Sequence, residues 1–278
     1  MLTRTFAATC LLLAAAAPAS ATTGPWVATD NVRVRLLATA PAADGSLQGA
    51  IEIKLEPGWK TYWRSPGDAG VPPRFDFSAS TNARDVTVSF PAPVRYDDGY
   101  AASNVYRDHV VLPLRMTVPD PAQPVRLDVV LDIGVCEEIC IPVNLRADLE
   151  LPADADDKEG ARVIAAAQAA LPGPGRPGEF EIRSLRRVGG SDKKPEFEVG
   201  FIAGKPSEAS LFVETPGDWY ADPPKPVAAP GGETVFRFAV DRKSAAGPID
   251  GTELHLTLTN GGAATSRTFK LDGGDARP

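Results

Sequence analysis

Short stretches of alternating apolar and polar residues recur along most of the chain. Val32-Arg-Val-Arg-Leu36, Ile51-Glu-Ile-Lys-Leu55 and Val86-Thr-Val-Ser-Phe90 come first. Val110 to Val118, Leu127 to Ile133 and Val143 to Leu151 follow, each run bounded by Gly, Pro, Asp or Asn. A period near two places successive side chains on opposite faces of a strand, so the pattern predicts antiparallel β-structure. About seven or eight such strands make a sandwich the expected layout for this half of the chain.

The second half repeats the style. Phe180 to Arg183, Phe197 to Phe201, Leu211 to Val213, Val235 to Val240, Leu254 to Leu258 and Thr268 to Leu271 read as strands of a second all-β domain. Between the halves, Ala161 to Leu171 is rich in alanine and has high helix propensity. Asp154, Asp156 and Asp157 suit the start of that helix, and Pro172-Gly-Pro-Gly stops it. The predicted organisation is a first sandwich over 22–152, a helix and linker over 153–178 and a second sandwich over 179–278. The fold class is all-β, with two β-sandwich domains.

Residues 1–21 form a different kind of segment. Arg4 is followed by the apolar stretch Phe6 to Ala17 and by Ala19-Ser-Ala21, an A-x-A cleavage signal. This reads as a secretory signal peptide cut after Ala21, which makes the mature protein exported and not membrane-inserted. No later stretch approaches the roughly 18 uninterrupted apolar residues of a membrane-spanning helix.

Composition narrows the function classes. Gly 25 and Pro 27 are too many for a helical protein. The net charge of −7 provides no basic stripe to neutralise phosphates, so nucleic acid is not an expected partner. With two His and three Cys in the whole chain, few residues could build a metal centre.

Cys10 leaves with the signal peptide, so the mature chain keeps Cys136 and Cys140. Exported proteins occupy compartments in which disulfides persist. The turn Glu137-Glu138-Ile139 would set the two cysteines opposite each other in a hairpin, where Cα atoms lie ~4.5–5.5 Å apart. A disulfide requires roughly 4.4–6.8 Å. A loop of about five residues gives such a bridge only ~2 kcal/mol of chain-entropy stabilisation. A short bridge at a loop end is therefore a weak staple and an accessible redox site. Glu137 and Glu138 disfavour a thiolate and raise the thiol pKa. Spacing alone favours a redox pair over a structural one, and a structural one over a metal site.

A family resemblance joins these features. Gly58-Trp-Lys-Thr-Tyr-Trp-Arg-Ser-Pro-Gly-Asp-Ala-Gly, Phe90-Pro-Ala-Pro, Val105-Tyr-Arg-Asp-His-Val-Val-Leu-Pro-Leu and Cys136-x-x-x-Cys140-Ile-Pro occur in that order. Together they resemble the N-terminal periplasmic domain of the disulfide-interchange protein DsbD. The similarity is greatest to the ScsB-like branch, in which a second β-domain follows. The resemblance implies an immunoglobulin-like fold and a periplasmic location. It implies electron transfer from a membrane thiol conductor of the CcdA/DsbD kind to thioredoxin-fold proteins, with no metal or organic cofactor. It assigns mixed-disulfide formation to Cys140 and resolution to Cys136. It places Trp59 and Tyr62 beside the pair, and a cap loop at Asp97, Asp98, Gly99 and Tyr100. Gly99 stands where the family leads one to expect an aromatic cap residue, and the cysteine spacing is shorter than in the best-studied branch. The conductor and a thioredoxin domain are expected on other polypeptides.

Two other classes remain open on the residues themselves. Thiolates favour Cu(I), so the pair could belong to a copper-handling protein, although a chain with two Met and two His is poor in other copper ligands. The bridge could instead be a structural clamp in an interaction protein. His109 is read as a surface or packing residue, and His255 as facing solvent. Trp219-Tyr220 is read as part of a loop packed on its own domain, and Asp97-Asp98, apart from the resemblance, as an acidic turn.

Overall fold

The computed structural model describes residues 21–67, 69–151, 157–229, 233–243, 248–272 and 275–277. The expected signal peptide, apart from Ala21, lies outside these, as do Asp154 and Asp156. The described chain is all-β apart from one helix and a single short helical turn. It forms two sandwich domains.

The first sandwich has two sheets. The first sheet contains β1 (Ala21–Thr23), β2 (Val27–Ala28), β3 (Val32–Thr39) and β4 (Ser46–Leu55). The second contains β5 (Lys60–Gly67) and β6 (Arg74–Asp76). Next along the chain, β7 (Arg84–Val88) returns to the first sheet, and β8 (Val94–Asp97) and β9 (Ala102–Arg107) belong to the second. The last three are β10 (His109–Thr117) in the first sheet and β11 (Val125–Cys136) and β12 (Cys140–Leu151) in the second. The strand orders are β1-β3-β4-β10-β7 and β12-β11-β5-β9-β8.

β11 and β12 form an unbroken antiparallel hairpin, in register from Val125 opposite Leu151 to Cys136 opposite Cys140. The odd positions Val125 to Val135 point into the core, with Val143, Leu145, Ala147 and Leu149 opposite them. Each such fully buried aliphatic side chain contributes about 1.5–3 kcal/mol. The even positions of β11 therefore occupy the outer face, and Cys136 is one of them.

The helix α1 (Lys158–Ala169) starts at Asp157, whose carboxylate accepts a hydrogen bond from the Gly160 N–H. It lays Ile164 on Leu37 and Ala50, on the outer face of the first sheet. The segment read as a linker is thus packed against the first sandwich over its helical part. The Pro/Gly part runs along the second domain, where Thr265 Oγ1 donates to the Gly173 carbonyl.

The second domain comprises β13 (Glu181–Gly190), β14 (Pro195–Ile202), β15 (Ser210–Glu214), β16 (Tyr220–Ala221) and β17 (Lys225–Ala228). It is completed by β18 (Thr234–Asp241), β19 (Glu253–Asn260), β20 (Ala263–Asp272) and β21 (Asp275–Arg277). The short β21 joins the β15-β19-β20 half to the β13-β14-β18 half. Leu254, Leu256, Leu258 and Phe269 from one half share a core with Phe197, Phe236 and Phe238 from the other.

The domains are not independent. Phe212 of β15 is 1 % exposed and belongs to the core of the first sandwich, edge-on to Trp63 at 6.0 Å. Arg64 donates to both carboxylate oxygens of Glu214, at 2.6 and 2.8 Å. Arg95 donates to the Leu211 carbonyl at 2.7 Å.

Candidate functional site

Cys136 and Cys140 close the β11–β12 hairpin as a disulfide, with Cα atoms 4.1 Å apart. The two ends differ in access. Cys136 is 1 % exposed, whereas Cys140 is exposed beside Ile139, an apolar residue itself 69 % exposed. Cys140 is thus the more open end of the bridge.

The cover over Cys136 comes from strand pairing. Cys136 is opposite Lys60 of β5, and Lys60 is opposite Arg107 of β9. Directly paired residues share a face, so Cys140, Cys136, Lys60 and Arg107 form one row across four strands. Tyr62 stands two residues beyond Lys60, on the same face. Its hydroxyl is 3.2 Å from Cys140 Sγ and 3.4 Å from Cys136 Sγ. With the sulfurs joined, the phenol O–H is the donor.

Two glycines admit the Tyr62 ring. On one side a Cβ at Gly134 would meet ring carbons at 3.1 Å, and on the other a Cβ at Gly70 would meet them at 2.8 Å. Tyr62, Val105 and Cys136 form a small buried cluster with Tyr96 packed against it. Burial, and then the nearby Asp98 carboxylate, push the Tyr62 phenol above its ordinary pKa. The hydroxyl thus remains a proton donor at neutral pH.

Lys60 completes the floor. It is 6 % exposed, its ammonium donates to the Glu137 carbonyl at 2.8 Å, and it sits 4.2 Å from the centre of the Tyr96 ring. Burial, reinforced by Arg107, pulls its pKa below the usual lysine value, while Asp98 and Glu137 pull the other way. Sequence reasoning gave no role to Lys60, Tyr96, Gly70 or Gly134, and it counted only acidic neighbours around the thiols. The fold adds a cation.

The other expected residues are distributed as follows. Trp59 precedes Lys60 and is partly buried against the main core. Asp97 Oδ1 accepts the Gly99 N–H, and Asp98 Oδ1 accepts those of Tyr100 and Ala101. These bonds hold the Asp98 carboxyl below the usual range. Both carboxylates thus organise their own turn. Gly99 has φ of 87°, which an aromatic residue would adopt only with strain, and Tyr100 is 99 % exposed. The ring against the sulfurs is Tyr62, and Tyr100 projects from the loop. Asp98 still reaches the site through its charge on Lys60 and Tyr62.

His109 lies on the first sheet, with Nε2 2.9 Å from the buried Glu52 carboxylate. His255 is exposed, with Nδ1 2.7 Å from Thr268 Oγ1. Trp219 packs against the core of its own domain. Among the described residues, no group of three or more His, Cys, Asp or Glu side chains could hold a metal ion. No helix among them is long and apolar enough to cross a membrane.

The hairpin disulfide thus lies on the outer face of an immunoglobulin-like sandwich, with one end open. Residues 33–152 match the family described as thiol:disulfide interchange protein DsbD, N-terminal, and form a DsbD N-terminal-like domain. Among solved structures, the chain is similar to the N-terminal periplasmic domain of ScsB from Proteus mirabilis. The TM-score is 0.74 and the identity 23 %, over 91 % of this chain and 99 % of that one. The shared fold thus extends through both domains. No curated protein matches the chain.

Proposed function

We propose that the chain is a periplasmic carrier of reducing equivalents, working through Cys136 and Cys140 between a membrane thiol conductor and thioredoxin-fold clients. The observation that carries this reading is the asymmetry of the pair. Cys140 is open to a partner, while Cys136 is buried under Tyr62. The periplasmic assignment is supported by the similarity to the ScsB domain and by the leader-like residues 1–21. The exchange chemistry is assigned to 22–152. The helix and linker over 153–178 and the second sandwich over 179–278 form the remainder of the proposed organisation.

A donor thiolate attacks Cys140 Sγ. The S–S bond breaks, its electron pair leaves on Cys136 Sγ, and a mixed disulfide joins donor and Cys140. The Tyr62 O–H donates toward the sulfur that gains charge. The donor's second thiolate then attacks the mixed disulfide and forms the donor's own disulfide, releasing Cys140. Two electrons have passed, and both cysteines take protons from solvent. The reduced pair reduces a client by the same steps in reverse. The residues need no cofactor for this, and the chain acts only together with partner proteins.

Trapping tests the reading. Cys136→Ser should accumulate a mixed disulfide at Cys140 with a donor or a client. Cys140→Ser should accept no electrons. Normal electron transfer through both variants would refute the proposal.

A further inference from the structure

A buried lysine is costly, and nothing in the strand pattern of β5 requires one at position 60. A methionine would fill the same space beside Tyr96 without desolvating a charge. Lys60 nevertheless occupies the position directly opposite Cys136, and its ammonium is fixed at both ends of its contact, by the Glu137 carbonyl at 2.8 Å and the Tyr96 ring at 4.2 Å. We infer that Lys60 is a positioning residue of the redox centre, whose locked ammonium is the positive charge facing the Cys136 thiolate as the S–S bond opens.

The chemistry follows from which sulfur leaves. Attack at the exposed Cys140 puts the displaced electron pair on Cys136, the sulfur shut away from water. Burial alone would raise the energy of that thiolate and slow its departure, because a better leaving thiol is one of lower pKa. A cation in the paired position of the same row opposes this penalty in a poorly screened site. The Tyr62 hydroxyl assists from above. The charged groups facing Lys60 are Asp98 from the β8–β9 loop, Glu137 from the hairpin and Arg107 from β9. The two carboxylates favour the charged lysine and Arg107 opposes it. This inference rests on the exchange reading, since it concerns the same pair, but it can be measured without any partner.

The test compares the full chain with Lys60→Met and Lys60→Arg. Each protein is reduced, and the rate of alkylation of Cys136 by iodoacetamide, separated from that of Cys140 by peptide mapping, is followed against pH. Reduction of the oxidised proteins by dithiothreitol is timed in parallel. Lys60→Met should raise the alkylation midpoint by about one unit, a tenfold change in the acidity constant of the thiol, and slow reduction several-fold. Lys60→Arg should keep the wild-type midpoint. An unchanged midpoint and rate in Lys60→Met would overturn the inference. So would a Lys60→Arg midpoint raised by as much as a unit, and that variant decides alone if Lys60→Met melts below the assay temperature. A Lys60-dependent midpoint in a chain that traps no partner would sink the exchange reading and leave this one standing.

Discussion

Gly134 lies against the ring of Tyr62: a Cβ there would stand 3.1 Å from two ring carbons and push the ring away by a few tenths of an ångström. With Gly70 on the other side, it lets the ring sit where its hydroxyl reaches both sulfurs. Tyr62→Phe should slow reduction by dithiothreitol roughly ten- to a hundredfold, since a hydrogen bond to a charged group is worth about 1.5–3 kcal/mol. Gly134→Ala should slow it in the same direction by displacing the ring, and the double variant should be little slower than Tyr62→Phe. Additive effects would mean that the glycine acts by another route.

The bridge should matter little to stability. It closes a loop of about five residues, worth ~2 kcal/mol. The twelve-residue register of β11 and β12 and the core beneath it remain when the bond opens. Melting with and without a reductant should therefore differ by only several degrees. A reduced protein unfolded at room temperature would identify the bridge as a structural staple.

Phe212 ties the two sandwiches together. Replacing it with alanine removes a side chain that is 1 % exposed and edge-on to Trp63, at a cost of about 3–5 kcal/mol. Urea unfolding of Phe212→Ala, followed separately by probes in each domain, should show two transitions where the wild type shows coupled ones. Arg64→Ala should weaken the coupling less, because that arginine is half-exposed and its ion pair is partly screened.

Asp128 should contribute to the acid limb of the stability profile. Its carboxylate is 1 % exposed on β11 and accepts hydrogen bonds from Arg146 at 2.8 and 2.7 Å. Those bonds, partly offset by desolvation and aided by the charges of Arg146 and Arg126, hold its pKa below the ordinary aspartate value. A depressed folded-state pKa gives stability that is present above the unfolded value and lost as pH falls through the folded one. Urea midpoints between about pH 2 and pH 6 should thus fall less steeply with acid in Asp128→Asn than in the wild type. Parallel profiles would remove Asp128 from the account.

Much of the frame was readable before any coordinates. The alternation in β3, β10, β11 and β12 marked them as strands, because each has one face in the core and one outside. The spacing of Cys136 and Cys140 permitted their opposition across a three-residue turn, and the register of β11 and β12 made it so. β5 escaped this reading: Lys60 to Trp63 are buried in succession, with Trp63 in the core and Lys60 and Tyr62 under the redox face, so no period of two survives. The same covering explains why Lys60, quoted only within a motif, drew no role from the sequence.

What the residues determine on their own is local: strands, one helix, a hairpin and two sulfurs at its tip. The folded chain decides the rest, because it pairs residues 60 and 62 with 134–140 across more than seventy positions of sequence. Only that long-range register buries one sulfur and leaves the other open, and only the contact between domains places Phe212 in a core to which its own strand does not belong. Alternation along a strand records which side is dry. It does not record which neighbour keeps it so.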